Sequence, residues 1–171
     1  PISASHPPLA ATLARIAKIG TFAHEQIWDP FCGSGLELAE CLLLQRDADV
    51  FGTDLSRSAI GVAQANLAAV LGKTREGDGQ IRLEACDFRD GPERLGLGAL
   101  TLMITNPPLG KRVPVADLRS MMEGVFSCAE RLLKPGGRLV VVNPLELSPR
   151  KGRLRLEMRQ AVDLGDRKSV V

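Results

Sequence analysis

Short continuous apolar runs alternate along the chain with longer stretches in which apolar residues recur every three or four positions, a pattern that predicts strands and helices in turn. Leu9, Leu13, Ile16 and Ile19 mark a first helix over 8–18, stopped by Gly20. A strand over 25–29 carries Ile27 and Trp28, and a glycine-containing turn leads from it into a helix near 35–45 bearing Leu36, Leu38, Ala39, Leu42 and Leu43. Val50 to Thr53 reads as a second strand ending at Asp54, after which Ser56 caps an alanine-rich helix over 57–71 that Gly72 terminates. The polar stretch from Lys73 to Gln80 reads as a loop. A third strand over 81–86 ends at Asp87, a short helix or turn runs from Gly91-Pro92 to Leu97, and Leu100 to Thr105 forms a fourth strand. A helix over 117–133 is broken by Lys134-Pro135-Gly136-Gly137, and Arg138 to Asn143 forms a fifth strand. A basic helix around 150–158, a strand from Gln160 to Leu164 and a last strand near Lys168 complete the order.

Strands alternating with helices pack as a parallel sheet covered on both faces and joined by right-handed crossovers, so the expected class is α/β. The last two strands differ. Only about Gly165-Asp166-Arg167 separates them, too short for a parallel crossover, which predicts an antiparallel hairpin at one sheet edge. Ligands bind such sheets beyond the carboxyl ends of the strands, where strand order reverses. Asp29, Asp54, Asp87 and Asn106 all fall at predicted carboxyl ends.

The 171 residues suit one domain, expected to bury roughly 70% of the surface of its unfolded form. With 44% hydrophobic and 25% charged residues and no uninterrupted apolar run near about 18 residues, the sequence reads as globular and without a membrane span. Cys32, Cys41, Cys86 and Cys128 lack CxxC spacing, which suggests reduced thiols and a cytoplasmic setting rather than zinc or disulfides. The start at Pro1 shows no signal-peptide pattern and suggests a fragment of a longer protein, with residues 1–20 as a helical lead-in to a single domain. Charge is uneven. Residues 1–110 carry 9 Lys/Arg against 13 Asp/Glu, and residues 111–171 carry 13 against 7, so the second part has an excess of cations suited to phosphates. Arg150, Lys151, Arg153, Arg155 and Arg159 read foremost as a solvated helix face, whereas Lys111 and Arg112 follow a loop with chemical potential.

Two loops carry that potential. Asp29-Pro30-Phe31-Cys32-Gly33-Ser34-Gly35 ends an apolar strand and opens a helix, where glycines admit positive φ and leave amide groups facing a small polar ligand. It is not the G-x-G-x-x-G of nicotinamide sites, since an acid precedes its two glycines. Thr105-Asn106-Pro107-Pro108-Leu109-Gly110 ends another apolar strand and is followed by Lys111 and Arg112. Each acid and the asparagine also has a local reading. Asp29 fits a plain strand-to-helix turn with Ser34 as cap, Asp54 a charge at a helix start, Asp87 a turn, and Asn106 a turn ending a strand.

Taken together the two loops resemble those of class I methyltransferases that use S-adenosylmethionine, more closely the putative RNA methylases that make N2-methylguanosine behind a separate THUMP RNA-binding domain. The resemblance covers nearly the whole chain. It implies a Rossmann-like fold with a seven-stranded, mostly parallel sheet, an antiparallel C-terminal hairpin and helices on both faces. Asp29, Pro30, Phe31, Cys32, Gly33 and Gly35 would surround the methionine moiety, with both glycines leaving room for it. Asp54 would receive the ribose hydroxyls, and Asp87 the adenine amino group, with Leu55 or Phe88 covering the ring. Asn106, Pro107, Pro108 and Leu109 would form the catalytic loop, in which the Asn106 side-chain oxygen and the Pro107 carbonyl accept N–H bonds from an exocyclic amine. No metal or histidine base is needed. Leu109 stands where the family often has an aromatic residue, and stacking of that kind is worth about 1–3 kcal/mol per base. Lys111 and Arg112 would hold a substrate phosphate.

The implied reaction is methyl transfer to an exocyclic nitrogen, foremost guanine N2 in tRNA or rRNA. An RNA-binding domain upstream, or a partner protein, would select the RNA. DNA adenine N6 methylation uses a similar Asn-Pro-Pro signature, but no inserted target-recognition region is visible. A protein-glutamine or small-amine methyltransferase, or a non-catalytic scaffold within an RNA-modifying assembly, are the other readings.

Overall fold

The computed structural model describes residues 6–72, 79–108, 115–145, 147–149, 152–163 and 168–170. The elements are α1 (Pro7–Ile16), β1 (Gln26–Asp29), α2 (Leu36–Leu44), β2 (Asp49–Asp54), α3 (Arg57–Leu71), β3 (Ile81–Ala85), α4 (Gly91–Leu95), β4 (Leu100–Thr105), α5 (Val115–Leu132), β5 (Leu133–Val141), β6 (Ala161–Asp163) and β7 (Lys168–Val170). The predicted loop over 73–80 lies mostly outside the described residues, as do 164–167 of the predicted hairpin.

Five strands form one all-parallel sheet in the order β3-β2-β1-β4-β5. The chain runs from β1 outward to β3 and returns on the other side of β1 with β4, so order reverses between β1 and β4. Strand alternation divides the core. Ile27, Val50, Leu102, Ile104 and Val140 face one side with Leu13 of α1, Leu38 and Leu42 of α2, and Ala63 and Leu67 of α3. Trp28, Phe51, Leu100 and Met103 face the other with Leu95 of α4 and Val125, Cys128 and Ala129 of α5. All six β4 residues are buried, as befits a central strand covered on both faces.

Local chemistry sets the helix boundaries. Pro7 and Pro8 occupy the first turn of α1, where no amide donor is required. The Ser56 hydroxyl accepts from the Ala59 N–H to start α3, and Gly72, at φ +68°, ends it. At the amino end of the sheet, the fully buried Glu25 accepts twice from the Arg138 guanidinium, both at 2.8 Å, and from the Thr101 hydroxyl and the amides of Gly20 and Phe22. This network ties the start of β1 to β4 and β5, away from the carboxyl ends.

Four expectations are corrected. The sheet has five strands rather than seven. β6 and β7 pair antiparallel with each other, in a two-stranded ladder separate from the main sheet rather than on its edge. In the segment before β6 only Leu154 packs against the core, while Leu156 and Met158 beyond it are 66% and 52% exposed. Lys134-Pro135-Gly136-Gly137 lies within β5, where Leu133 pairs with Leu100 and the register then shifts. Gly136 takes φ +77° there, so the glycines form an irregularity in a strand instead of the loop before one. Residues 152–160 are not helical. Their main chain is held by Glu130, which accepts from the amides of Arg153 at 2.9 Å and Leu154 at 2.7 Å.

Among the described residues, no helix is long and apolar enough to cross a membrane.

Candidate active site

Asp29 closes β1 with its side chain fully buried. Its Oδ1 accepts from the Thr105 hydroxyl at 2.7 Å and from the Phe31 N–H at 3.0 Å, while Oδ2 is buried without a hydrogen-bond partner. The Thr105 bond spans the switch point, because β1 and β4 are neighbours with Trp28 opposite Met103. Asn106 and Pro107 therefore emerge beside Asp29, Asn106 half-buried and Pro107 buried. Burial foremost, and then the neighbouring Glu37, push the Asp29 carboxyl well above the ordinary carboxylate range, against the opposing effect of its two hydrogen bonds.

The loop after β1 is fixed by β2. Cys32 N–H donates to the Thr53 carbonyl at 2.8 Å, and the Thr53 hydroxyl donates to the Pro30 carbonyl at 2.9 Å. Asp54 joins both loops: Oδ2 accepts from Gly33 N–H at 3.0 Å and Oδ1 from Ser56 N–H at 2.8 Å. The two glycines differ in function. Gly33, at φ +52°, faces open space, with the nearest atom 4.0 Å from where a Cβ would stand. Gly35, at φ +78°, lies against α3, its added Cβ 3.1 Å from the Ala63 Cβ. Only Gly33 leaves room for a ligand; Gly35 leaves room for a helix. Asn66 of α3 then secures the turn by donating to the Ser34 carbonyl at 2.9 Å.

Asp87 follows β3 and accepts from the Arg89 N–H at 2.8 Å, with the Arg89 guanidinium 3.3 Å away. Of the apolar side chains expected over an adenine ring, Leu55 is 79% exposed. Phe88 is buried, its ring centroid 4.8 Å from that of Phe31 and packed close to Gly124. Leu109, Lys111 and Arg112 lie outside the described residues. Burial pushes the Cys32 thiol up, with Asp29 adding to the effect, which keeps it protonated and unreactive. A groove of about 460 Å³ runs along the outer edge of β5, but Asp29, Asp54 and Asn106 do not line it.

The sequence reading missed Thr53, Thr105, Glu37 and Asn66. The threonines had a visible signal, each a hydroxyl at the carboxyl end of an otherwise apolar strand. Glu37 had a weaker one, a carboxylate among the leucines of an amphipathic helix.

These groups fit S-adenosylmethionine. A buried carboxylate oxygen without a donor suits the methionine ammonium, the open space at Gly33 suits its chain, and the half-buried Asp54 carboxylate suits vicinal hydroxyls. The Methyltransferase small domain family matches residues 10–162 of the chain. The chain belongs to that family. It is 29% identical over 168 residues to ribosomal RNA large subunit methyltransferase G of Streptomyces coelicolor, covering 97% of this chain and 38% of that protein. In three dimensions it resembles TrmN from Thermus thermophilus, with TM-score 0.72 and 26% identity over 96% of this chain and 47% of that one. The rRNA methyltransferase aviRa from Streptomyces viridochromogenes shares the fold at TM-score 0.67 and 21% identity, covering 98% of this chain and 84% of that one. The chain thus spans less than half the length of the first two proteins.

Proposed function

We propose that this chain is the single catalytic domain of a longer, cytoplasmic RNA methyltransferase, and that it transfers a methyl group from S-adenosylmethionine to an exocyclic base nitrogen, guanine N2 in structured tRNA or rRNA. The Thr105–Asp29 hydrogen bond carries this reading, because it joins the cofactor-side carboxylate to the strand that delivers Asn106. The cofactor supplies a methyl group on a sulfonium, already an excellent leaving group. The protein must aim a poor nucleophile at it.

An exocyclic amine delocalises its lone pair into the base. The Asn106 side-chain oxygen and the Pro107 carbonyl each accept one of its N–H bonds, drawing the nitrogen out of conjugation and fixing its direction. Pro107 and Pro108 stiffen the loop, where a displacement of about 1 Å can cost on the order of a hundredfold. Asp29 takes the methionine ammonium and Asp54 the ribose hydroxyls; Asp87 takes the adenine amino group, with Leu55 at its edge. Leu109 makes apolar contact with the base, while Lys111 and Arg112 hold a flanking phosphate. An RNA-binding domain elsewhere in the protein, or a partner, selects the RNA.

Methyl incorporation from labelled S-adenosylmethionine into total RNA and into DNA, followed by nucleoside analysis, tests the reading. Label is expected in RNA as N2-methylguanosine. Label in DNA as N6-methyladenine, or cofactor binding without transfer to either, would replace it with the DNA-modifying or the scaffold reading. Asn106→Ala should lower kcat by at least about a hundredfold while cofactor Kd stays within about twofold. Equal losses in both would remove Asn106 from the catalytic role.

A further inference from the structure

Asp87 is held by more contacts than its turn requires. Between β3 and α4 its main-chain carbonyl accepts from the amides of Asp90 at 3.0 Å and Gly91 at 3.2 Å, and its Oδ1 accepts from the Arg89 N–H at 2.8 Å, which together close the turn. The Arg89 side chain adds a further hold. Its Nη1 lies 3.3 Å from Oδ1 and 3.3 Å from Oδ2, astride the carboxylate, and among the described residues Oδ2 meets no other donor. The two side chains are 50% and 38% exposed, so the ion pair adds little to folding. Its cation, however, is fixed from behind. The Arg89 guanidinium stands over the Phe88 ring, with Cζ 4.6 Å from the centroid, and Phe88 is buried against Phe31 of the loop after β1. α5 backs this stack at Gly124, where an added Cβ would stand 3.0 Å from Phe88 and 3.8 Å from the Arg89 Nε. A flexible side chain is thereby confined to one path across a buried ring, and contacts run unbroken from α5 through Phe88 and Arg89 to the carboxylate beyond β3.

We propose that Arg89 is a positioning residue for the adenine end of the cofactor: lying on Phe88, it holds the Asp87 carboxylate at the rotation that offers an oxygen to the 6-amino group, and so sets a preference for an amino-bearing purine. Each carboxylate oxygen has more than one lone pair, so the guanidinium leaves Oδ2 able to accept from a ligand. An anchored acceptor favours a ligand N–H over a ring C–H at the same place, whereas a carboxylate free to turn into water must first be ordered by the ligand itself. The inference rests on the assignment of Asp87 to the adenine amino group and goes beyond it, since that assignment leaves Arg89 without a role.

Calorimetric titration of the whole chain with S-adenosylhomocysteine, and with its purine counterpart carrying hydrogen in place of the 6-amino group, reads this preference without turnover. Wild type should bind the amino form at least about tenfold more tightly. Arg89→Leu, which still covers Phe88 but cannot hold Asp87, should reduce the ratio to within about threefold by weakening the amino form, with the purine form within about twofold of its wild-type Kd. A role in folding or in the general charge of the site would weaken both ligands alike. Asp87→Ala should abolish the preference. A wild-type ratio retained in Arg89→Leu, or equal losses for both ligands in that variant, would overturn the proposal, and a preference lost in Asp87→Ala would then leave the Asp87 assignment standing. A preference that survives Asp87→Ala, or that wild type lacks, would instead remove that assignment and this proposal with it.

Discussion

Glu25 and Asp29 sit at opposite ends of β1, both fully buried, and their environments move them in opposite directions. Burial by itself would raise Glu25, but the Thr101 hydroxyl, the Arg138 guanidinium and the Phe22 amide outweigh it and hold the group below its ordinary value of 4.5. The folded protein therefore binds this proton less readily than the unfolded chain. Stability from Glu25 is fully present above about pH 4.5 and is lost as pH falls through the lower folded value. Urea midpoints measured across the acid range should drop steeply for wild type and less so for Glu25→Gln; parallel curves would show that Glu25 does not set the acid limit. Asp29 has the reverse sign. Its raised folded value means that its native protonation is lost as pH climbs, which weakens the cofactor-free protein. At neutral pH the Glu25 network is the stabilising one. Arg138→Met should cost about 3–5 kcal/mol in denaturant titrations by stranding a buried carboxylate, and adding Glu25→Leu should recover much of it. A double variant no better than the single would place the role of Arg138 elsewhere, for instance in its stacking over Phe22.

At the scale of elements, sequence periodicity and caps were enough where local chemistry and tertiary contacts agree. Ser56 and Gly72 bracket α3 where the hydroxyl and the glycine place them, and the alternation of Ile27 with Trp28 anticipates a strand buried on both faces. The Asp29 loop and Asn106 were legible because acid, glycine and Asn-Pro-Pro each punctuate the end of an apolar run. Periodicity failed where a single long-range partner decides the conformation. Arg153 and Leu154 follow the main-chain path that Glu130 imposes from α5, a contact 23 and 24 positions away with no trace in local spacing. Gly136-Gly137 resembled a helix stop, yet pairing of Leu133 with Leu100 draws it into β5. The two loop glycines show the same limit, since spacing could not reveal that one faces open space and the other a helix. Gly35→Ala should cost about 1–2 kcal/mol for its left-handed backbone, plus the displacement of α3 at Ala63. Gly33→Ala incurs the backbone cost alone. Denaturant titration should rank Gly35→Ala as the less stable, and calorimetry should show the larger loss of cofactor affinity per unit of stability lost in Gly33→Ala. The opposite ranking would exchange the roles of the two glycines.

For the molecule as a whole, charge and fold suit the two ligands of the proposed function. Asp29 and Asp54 belong to the part of the sequence with an excess of acids, which suits a cofactor carrying an ammonium and a sulfonium. The part after residue 110, with 13 Lys/Arg against 7 Asp/Glu, begins directly beyond the Asn106 loop. In the proposed reaction, cofactor affinity depends on short-range contacts in a buried pocket, whereas RNA affinity depends on phosphate neutralisation with release of counterions. The two should respond differently to salt. Raising salt from about 50 to 200 mM should increase KM for RNA steeply, with a log–log slope of roughly 0.7 to 0.9 per phosphate contact, and leave the calorimetric Kd for S-adenosylmethionine almost unchanged. Lys111→Ala and Arg112→Ala should each reduce that slope by about 1 without moving the cofactor Kd. Arg155→Ala separates the alternatives for the second basic cluster, because its guanidinium already donates to the carbonyls of Gly152 and Leu154. An unchanged slope in that variant marks the cluster as a solvated surface, and a reduced slope extends the phosphate track from the catalytic loop to the C-terminal segment. A salt-independent KM for RNA would mean that this domain contributes no phosphate contacts of its own, leaving RNA capture to another domain or a partner.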